Sequence, residues 1–483
     1  MIRIVIAQGI IQLLNVVSVL KFQSTLEKYQ NCEDFLIIAG SRNSTMNQGL
    51  IDACLQISTV WSFKNIIVPH DYVVLLSEKV SQKTISFLEA TKLLKNKLTI
   101  NVCDVIYTCR NFQFINELFL SAYSTAHKIC YGDGLGVLDS KSMNQPGSIN
   151  PQGFAKVDEA YLIVPLEASK NAFDYCGLIQ TINIKYFVDT IHKSALQVPG
   201  LSQYCKSILK KNNQPITLIV LTYWAQVNII SSCDAEVELY LLSVLPYVTK
   251  DELLVVKGHP RQKLNQSQKL VDELVKNGFN AILMPNKFEY YSIELFTSYL
   301  SFKKVITIAS NSCFTLAYLC HSEVIFGAKK TLVEKYISSN FHKNIKQSIA
   351  YNSLILPKAY TTSDFEPIYY SQLEQLTKNQ VYEQIYIANG NFSKPQIINS
   401  NILFNKAQKL QRQGKFNQAI NYYRYYLDFY PDFSWCYFKL GETLEKLGLI
   451  DDAAKEYCNA VEKNPSNLVF RYTLNQFIEK NQS

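Results

Sequence analysis

Short runs rich in Ile, Val, Leu and Phe alternate with longer amphipathic stretches through most of the chain, the pattern of βαβ units around a parallel sheet. The runs Ile2 to Ala7, Phe35 to Ala39, Asn65 to Val68, Thr99 to Ile106 and Tyr161 to Val164 are the predicted strands of a first half. A second series follows the polar turn Lys210-Lys211-Asn212-Asn213-Gln214, with strands at Ile216 to Leu221, Leu253 to Lys257, Ala281 to Met284, Lys304 to Ile308 and Glu323 to Phe326. Helices are expected between them at Ala235 to Leu245, Gln266 to Lys276, Ser292 to Tyr299 and Phe314 to Leu319. Two successive series predict two facing α/β domains with ligands at the carboxyl ends of their strands.

Near the C-terminal end the period changes. Ala407 pairs with Gly441, Leu410 with Leu444, Gly414 with Gly448, Ala419 with Ala453, Tyr423 with Tyr457 and Pro431 with Pro465, all 34 residues apart. This spacing resembles the tetratricopeptide repeat, whose paired helices place small residues where backbones meet and a Pro after the second helix. Two copies and one further helix, about Asn467 to Lys480, are predicted, and an array this short leans on another domain or subunit. The tyrosines from Tyr422 to Tyr426, with Phe429 and Tyr430, stand at helical spacing that favours packing over ligand binding.

Composition narrows the class. The 483 residues are 48% hydrophobic and 18% charged, which describes a folded, non-membrane chain of about three domains. The net charge of +8 is spread without a basic tail, so nucleic acid is a poor partner. The 12 cysteines form no CxxC pair and predict free thiols rather than a zinc module or disulfide framework. The apolar start is interrupted by Gln8, Gln12 and Asn15 and is expected to be a buried strand and helix rather than a signal peptide. No run approaches the roughly 18 apolar residues of a spanning helix, so membrane contact is expected to be peripheral at most and the protein cytoplasmic or peripheral at the inner face of the membrane.

Three loops follow predicted strands and carry chemistry. Tyr131-Gly132-Asp133-Gly134 frees a carboxylate between two glycines, the setting of a general base or of a plain turn. Lys257-Gly258-His259-Pro260-Arg261 sets an imidazole between two cations, suited either to a phosphate or to a structural hydrogen bond beside solvated cations, with Pro260 keeping His259 extended. Ser310-Asn311-Ser312 offers hydroxyls and backbone N–H groups ahead of a helix, either for an anion or as a cap.

Taken in order, these loops resemble the acidic D/E-D/E-G, HP and Ser/Thr motifs of the bacterial sialyltransferases and polysialyltransferases of GT-B fold, here Gly132-Asp133-Gly134, His259-Pro260 and Ser310-Asn311-Ser312. Met284 to Phe296 is similar to the Pro and Glu-Leu stretch between the last two motifs, and Gln12-Leu13-Leu14-Asn15 looks like the family's opening helix. Gly132 departs from the first acidic position, and Asn311-Ser312-Cys313 is a loose version of the paired hydroxyls.

The resemblance implies an inverting transferase that needs no metal or other cofactor and moves sialic acid, or a similar acidic sugar, from a CMP-activated donor to a glycan hydroxyl. It implies Asp133 as base, His259 as phosphate ligand and acid, Pro260, Lys257, Arg261, Ser310 and Ser312 around the donor, and Glu294, or alternatively Glu289, on the ribose. The expected domains are 1–210 on the acceptor side, 211–345 on the nucleotide-sugar side, 346–400 as crossover helix and linker, and 401–483 as two repeats and a capping helix open to a protein partner. Other readings are a GT-B transferase of a different donor, such as a UDP-sugar or CMP-Kdo, and an idle scaffold that presents the repeats.

Overall fold

The computed structural model describes residues 1–40, 46–110, 113–132, 157–163, 176–182, 184–260, 262, 264–308, 310, 312, 315–316, 322–341, 367–369 and 400–481. The first sheet has eight strands: β1 Ile2–Ala7, β2 Glu33–Ile38, β3 Asn65–Ile67, β4 Val105–Thr108, β5 His127–Cys130, β6 Val157–Leu162, β7 Cys176–Thr181 and β13 Pro367–Tyr369. Their order is β13-β7-β6-β5-β4-β1-β2-β3, parallel except for β13, which runs antiparallel to β7. The second sheet takes β8 Ile216–Val220, β9 Leu253–Lys257, β10 Asn280–Leu283, β11 Lys304–Thr307 and β12 Glu323–Phe326 in the order β10-β9-β8-β11-β12. Each series starts in the middle, winds outward one way and then reverses. That reversal defines the doubly wound Rossmann-like arrangement and puts a topological switch point between β1 and β4, and again between β8 and β11. The expected fold class, two facing α/β domains followed by an all-α segment, is the one observed.

The strands of the second sheet lie where apolar runs predicted them, because covered on both faces they need continuous Ile, Val and Leu rather than alternation. Every residue of β8 and β9 is buried, and each such aliphatic side chain contributes roughly 1.5–3 kcal/mol of transfer free energy. Three expectations are corrected. Thr99 to Ile106 is not one strand: Thr99 closes the helix Phe87–Leu98 in a left-handed conformation at φ 56°, and the strand is Val105–Thr108. The strand expected at Tyr161 to Val164 begins earlier, at Val157. The helix expected at Ser292 to Tyr299 is the 3₁₀ turn Ile293–Ser298. Strand β13 lies inside the segment expected to hold a crossover helix and linker, and it returns the chain to the first sheet.

The segment after β10 joins the two sheets. Tyr290 Oη accepts from Asn47 Nδ2 at 3.0 Å, and Tyr291 Oη donates to Gln56 Oε1 at 2.5 Å. A Cβ on Gly49 would lie 2.4 Å from the Tyr290 ring, so only glycine admits that approach. Phe288 packs against Tyr204 with ring centroids 5.2 Å apart, inside a core that runs continuously from the first sheet to the second.

The C-terminal segment is five helices, Ser400–Arg412, Phe416–Leu427, Ser434–Lys446, Ile450–Lys463 and Leu468–Asn481. The 34-residue period recurs in their geometry. Gly414 and Gly448 turn between paired helices at φ 70° and 74°, where other residues are strained. The Tyr423 hydroxyl donates to Gln411 Oε1 at 2.7 Å, and 34 residues later the Tyr457 hydroxyl donates to Glu445 Oε2 at 2.9 Å. Tyr422, Tyr423, Tyr425 and Tyr426 are all buried. Tyr425 reaches out of the repeat to the Gly327 carbonyl at 2.9 Å, and a single core joins the second sheet to the first helix pair. None of the helices among the described residues is long and apolar enough to cross a membrane.

Candidate functional site

All the described residues expected to bind the donor lie on or just beyond the carboxyl edge of the second sheet. Lys257 ends β9 and is followed by Gly258, His259 and Pro260; Ser310 and Ser312 follow β11; Glu289 and Glu294 lie on the segment after β10. The two strands flanking the switch point, β8 and β11, thus feed the loops where the doubly wound fold leaves a crevice. Asp133, Gly134, Arg261 and Asn311 lie outside the described residues. Gly132 is described and left-handed at φ 82°, immediately past buried Tyr131, whose hydroxyl donates to the Ile6 carbonyl at 2.5 Å.

Lys257 is buried, and its Nζ donates to the Glu289 carbonyl at 3.2 Å and the Gly258 carbonyl at 3.5 Å. Burial pushes its amine down to about 8, against the pull of the Glu294 and Glu289 carboxylates. Glu294 is only 1% exposed, and neither carboxylate oxygen has a hydrogen bond of normal geometry. Burial raises its carboxyl above the ordinary value. The nearby Ser292, Thr315 and Ser312 hydroxyls oppose that shift without closing a bond, so the acid keeps unspent acceptors.

Local backbone bonds shape the two loops. Thr307 Oγ1 accepts the Ser310 N–H at 3.2 Å, and Ser310 Oγ accepts the Ser312 N–H at 3.3 Å, so Ser310 acts as a cap while Ser312 faces Glu294. The His259 carbonyl accepts the Gln262 N–H at 2.8 Å, closing a turn around Pro260. A Cβ on Gly258 would meet Ser267 Oγ at 2.6 Å, which accounts for the glycine before the histidine.

Tyr223 was not among the residues singled out from the sequence. It leaves the end of β8 and stacks on His259 with ring centroids 4.2 Å apart and planes 30° from parallel. This partner belongs to a different loop, and only the adjacency of β8 and β9 brings the two rings together. A separate groove of about 690 Å³ lies between the second α/β unit and the helical segment, lined by Glu273, Lys276, Lys406, Lys409 and Tyr422 among others, and includes none of the expected site residues. No group of His, Cys, Asp and Glu among the described residues is arranged to hold a metal ion, and nine cysteines, from Cys32 to Cys458, are free thiols.

No family model matches the chain, and no curated protein matches it. Among solved structures it is similar to UDP-GlcNAc 2-epimerase from Methanocaldococcus jannaschii, at 12% identity and TM-score 0.39 over 78% of this chain and 98% of that one. It is also similar to the E. coli heptosyltransferase WaaC with ADP-2-deoxy-2-fluoro heptose, at 10% identity and TM-score 0.32 over 73% and 100%. The third is E. coli ADP-heptose lps heptosyltransferase II, at 10% identity and TM-score 0.33 over 74% and 99%. With likeness this distant, the fold class of the chain rests on its own strand order.

Proposed function

We propose that the protein is a glycosyltransferase of GT-B type that takes a CMP-activated acidic sugar, sialic acid or a close analogue, and transfers it with inversion to a glycan hydroxyl. The observation that carries the reading is Glu294: a buried carboxylate with two open acceptors, at the switch-point edge of a doubly wound sheet, beside Ser312 and Lys257. Leaving such a group unpaired is costly, and a vicinal diol supplies two donors to it. The ribose of a nucleotide is such a diol, which favours Glu294 over Glu289 as its ligand.

In this reading the CMP phosphate is held by His259 and Ser312, with Lys257 adding positive charge and Pro260 fixing the loop. Arg261, next in sequence to Pro260 and outside the described residues, is assigned to the same phosphate by the resemblance alone. Asp133 takes the proton from the acceptor hydroxyl as that oxygen bonds to the anomeric carbon. The bond from that carbon to the phosphate oxygen breaks, and His259 stabilises or protonates the departing CMP. The first helix pair is packed into the second α/β unit, so a protein partner of the repeats would meet their later helices.

Calorimetric titration with CMP, UDP and GDP, repeated on His259→Ala, tests the reading. CMP is expected to bind selectively and to lose that binding in the variant. Preference for UDP or GDP would replace the donor, and absence of binding by all three would overturn the transferase in favour of a scaffold.

A further inference from the structure

Glu236 stands in the first turn of the helix Cys233–Val244, with no exposed surface. Acids in a first turn usually face solvent and act on the helix dipole; this one is turned inward and saturated. Its Oε1 accepts the Thr222 hydroxyl at 2.6 Å and the Trp224 N–H at 3.1 Å. Its Oε2 accepts the Ala225 N–H at 3.0 Å and the Gln266 side-chain N–H at 2.8 Å.

Those four donors come from two segments that border the site, the loop after β8 and the helix after the His259 turn. Three belong to the segment after β8, on both sides of Tyr223, and the Tyr240 hydroxyl accepts the Thr222 N–H at 2.7 Å to complete the clamp. The fourth, Gln266, lies in the helix that follows the His259 turn, next to Ser267, whose hydroxyl donates to Gln262 Oε1 at 2.8 Å. Gln262 in turn donates its N–H to the His259 carbonyl. One carboxylate therefore holds both arms of the stack between Tyr223 and His259.

We propose that Glu236 is a positioning residue that sets the Tyr223 loop against the His259 turn, and so fixes the imidazole beneath the Tyr223 ring. Its consequence for donor binding rests on the nucleotide-sugar reading; its effect on the ring stack does not. Glutamine at this position would aim an NH₂ at donors that now meet an acceptor, and aspartate would keep the acceptor while falling short of one arm.

The test reads the ring protons of His259, one of 6 histidines, in protein labelled at histidine and assigned with His259→Gln. In the wild type the Tyr223 ring current shifts the His259 signal, and Tyr223→Leu removes that shift. Glu236→Gln is expected to move the His259 signal toward its position in Tyr223→Leu while the other histidines stay in place, Glu236→Asp to move it less, and CMP affinity in Glu236→Gln to fall about tenfold, the scale of one lost buried hydrogen bond. An unmoved His259 signal in folded Glu236→Gln overturns the proposal. Should that variant fail to fold, Gln266→Ala is compared with Gln226→Ala: the first loses both the bond to Glu236 and the bond that Gln266 Oε1 accepts from Gln226 Nε2, the second keeps the bond to Glu236, and equal His259 signals in the two overturn the proposal. If wild-type protein binds no nucleotide, the donor reading fails while the ring signals still decide the role of Glu236.

Discussion

At the amino end of the second sheet Lys304 and Glu252 are both buried, and they meet at 3.0 Å. Lys304 also donates to the Tyr247 carbonyl at 2.7 Å, and Glu252 accepts from the Thr217 and Thr249 hydroxyls. At the carboxyl end of the same sheet Lys257 and Glu294 are as deeply buried, yet Lys257 finds only carbonyls, and Glu294 has the Ser292, Ser312 and Thr315 hydroxyls near it but no hydrogen bond of normal geometry. The fold shows at one end that it can satisfy a buried lysine and glutamate, so the open pair at the other end is no limit of the architecture. In the proposed reading, the buried polar groups left open at the switch-point edge are where a nucleotide's hydroxyls and phosphate would complete the bonding.

The comparison breaks most sharply at the paired end. Glu252→Gln or Lys304→Met leaves one buried partner uncompensated, and each is expected to cost about 3–5 kcal/mol of stability in denaturant unfolding, with little effect on nucleotide affinity of the protein that remains folded. A loss under about 1 kcal/mol, the range of exposed pairs, would show that the pair is not desolvated in solution.

The open lysine gives the next effect, through pH. Its amine stands at about 8 when folded against an ordinary 10.5, so between those values the unfolded chain holds a proton that the folded chain has released. Stability contributed by this group therefore rises as pH climbs from about 8 toward 10.5, by roughly 3 kcal/mol in total. Lys257→Met is expected to be the more stable form at neutral pH, and its advantage to shrink across that window. Parallel stability curves for the two proteins would mean Lys257 is solvated. Binding of a phosphate beside the amine is expected to draw in about half a proton at pH near 8, measurable as a dependence of calorimetric heat on buffer.

How much of this was legible in the sequence differs by level. Strands β9 and β12 carry continuous apolar runs bounded by polar turns, and they lie at Leu253–Lys257 and Glu323–Phe326 as the runs predict. Strands β7, Cys176–Thr181, and β13, Pro367–Tyr369, went unseen, because a Gly and a Gln dilute the first signal, while the second is three residues long and opens on a Pro. His259 and Ser310 stood out because glycine, proline and serine punctuate strand ends whatever the tertiary fold. Tyr223 and Glu236 did not, since a tyrosine after a strand and an acid in a first helical turn are ordinary locally. Their meaning arises only when β8 and β9 lie side by side. The 34-residue period was legible down to its glycine turns, while the docking of Tyr425 onto Gly327 was not, as no period encodes a contact outside the repeat.

The finest test of the comparison is Glu294→Gln, because it sets stability against binding at a single group. Burial raises the folded carboxyl above 4.5, so its contribution to stability is present below that pH and declines as pH rises through the folded value. An amide of the same shape carries no charge to desolvate, and the hydroxyls of Ser292, Ser312 and Thr315 remain near it. At neutral pH the variant is expected to be more stable than wild type by about 1–2 kcal/mol and to lose the acid limb of the stability profile. The same change is expected to weaken CMP binding and to spare the binding of a ribose-free phosphate compound, since in the proposed reading the carboxylate meets only the diol. A variant that gains no stability and binds CMP as wild type does would place Glu294 among satisfied core residues, and the two ends of the sheet would then no longer differ.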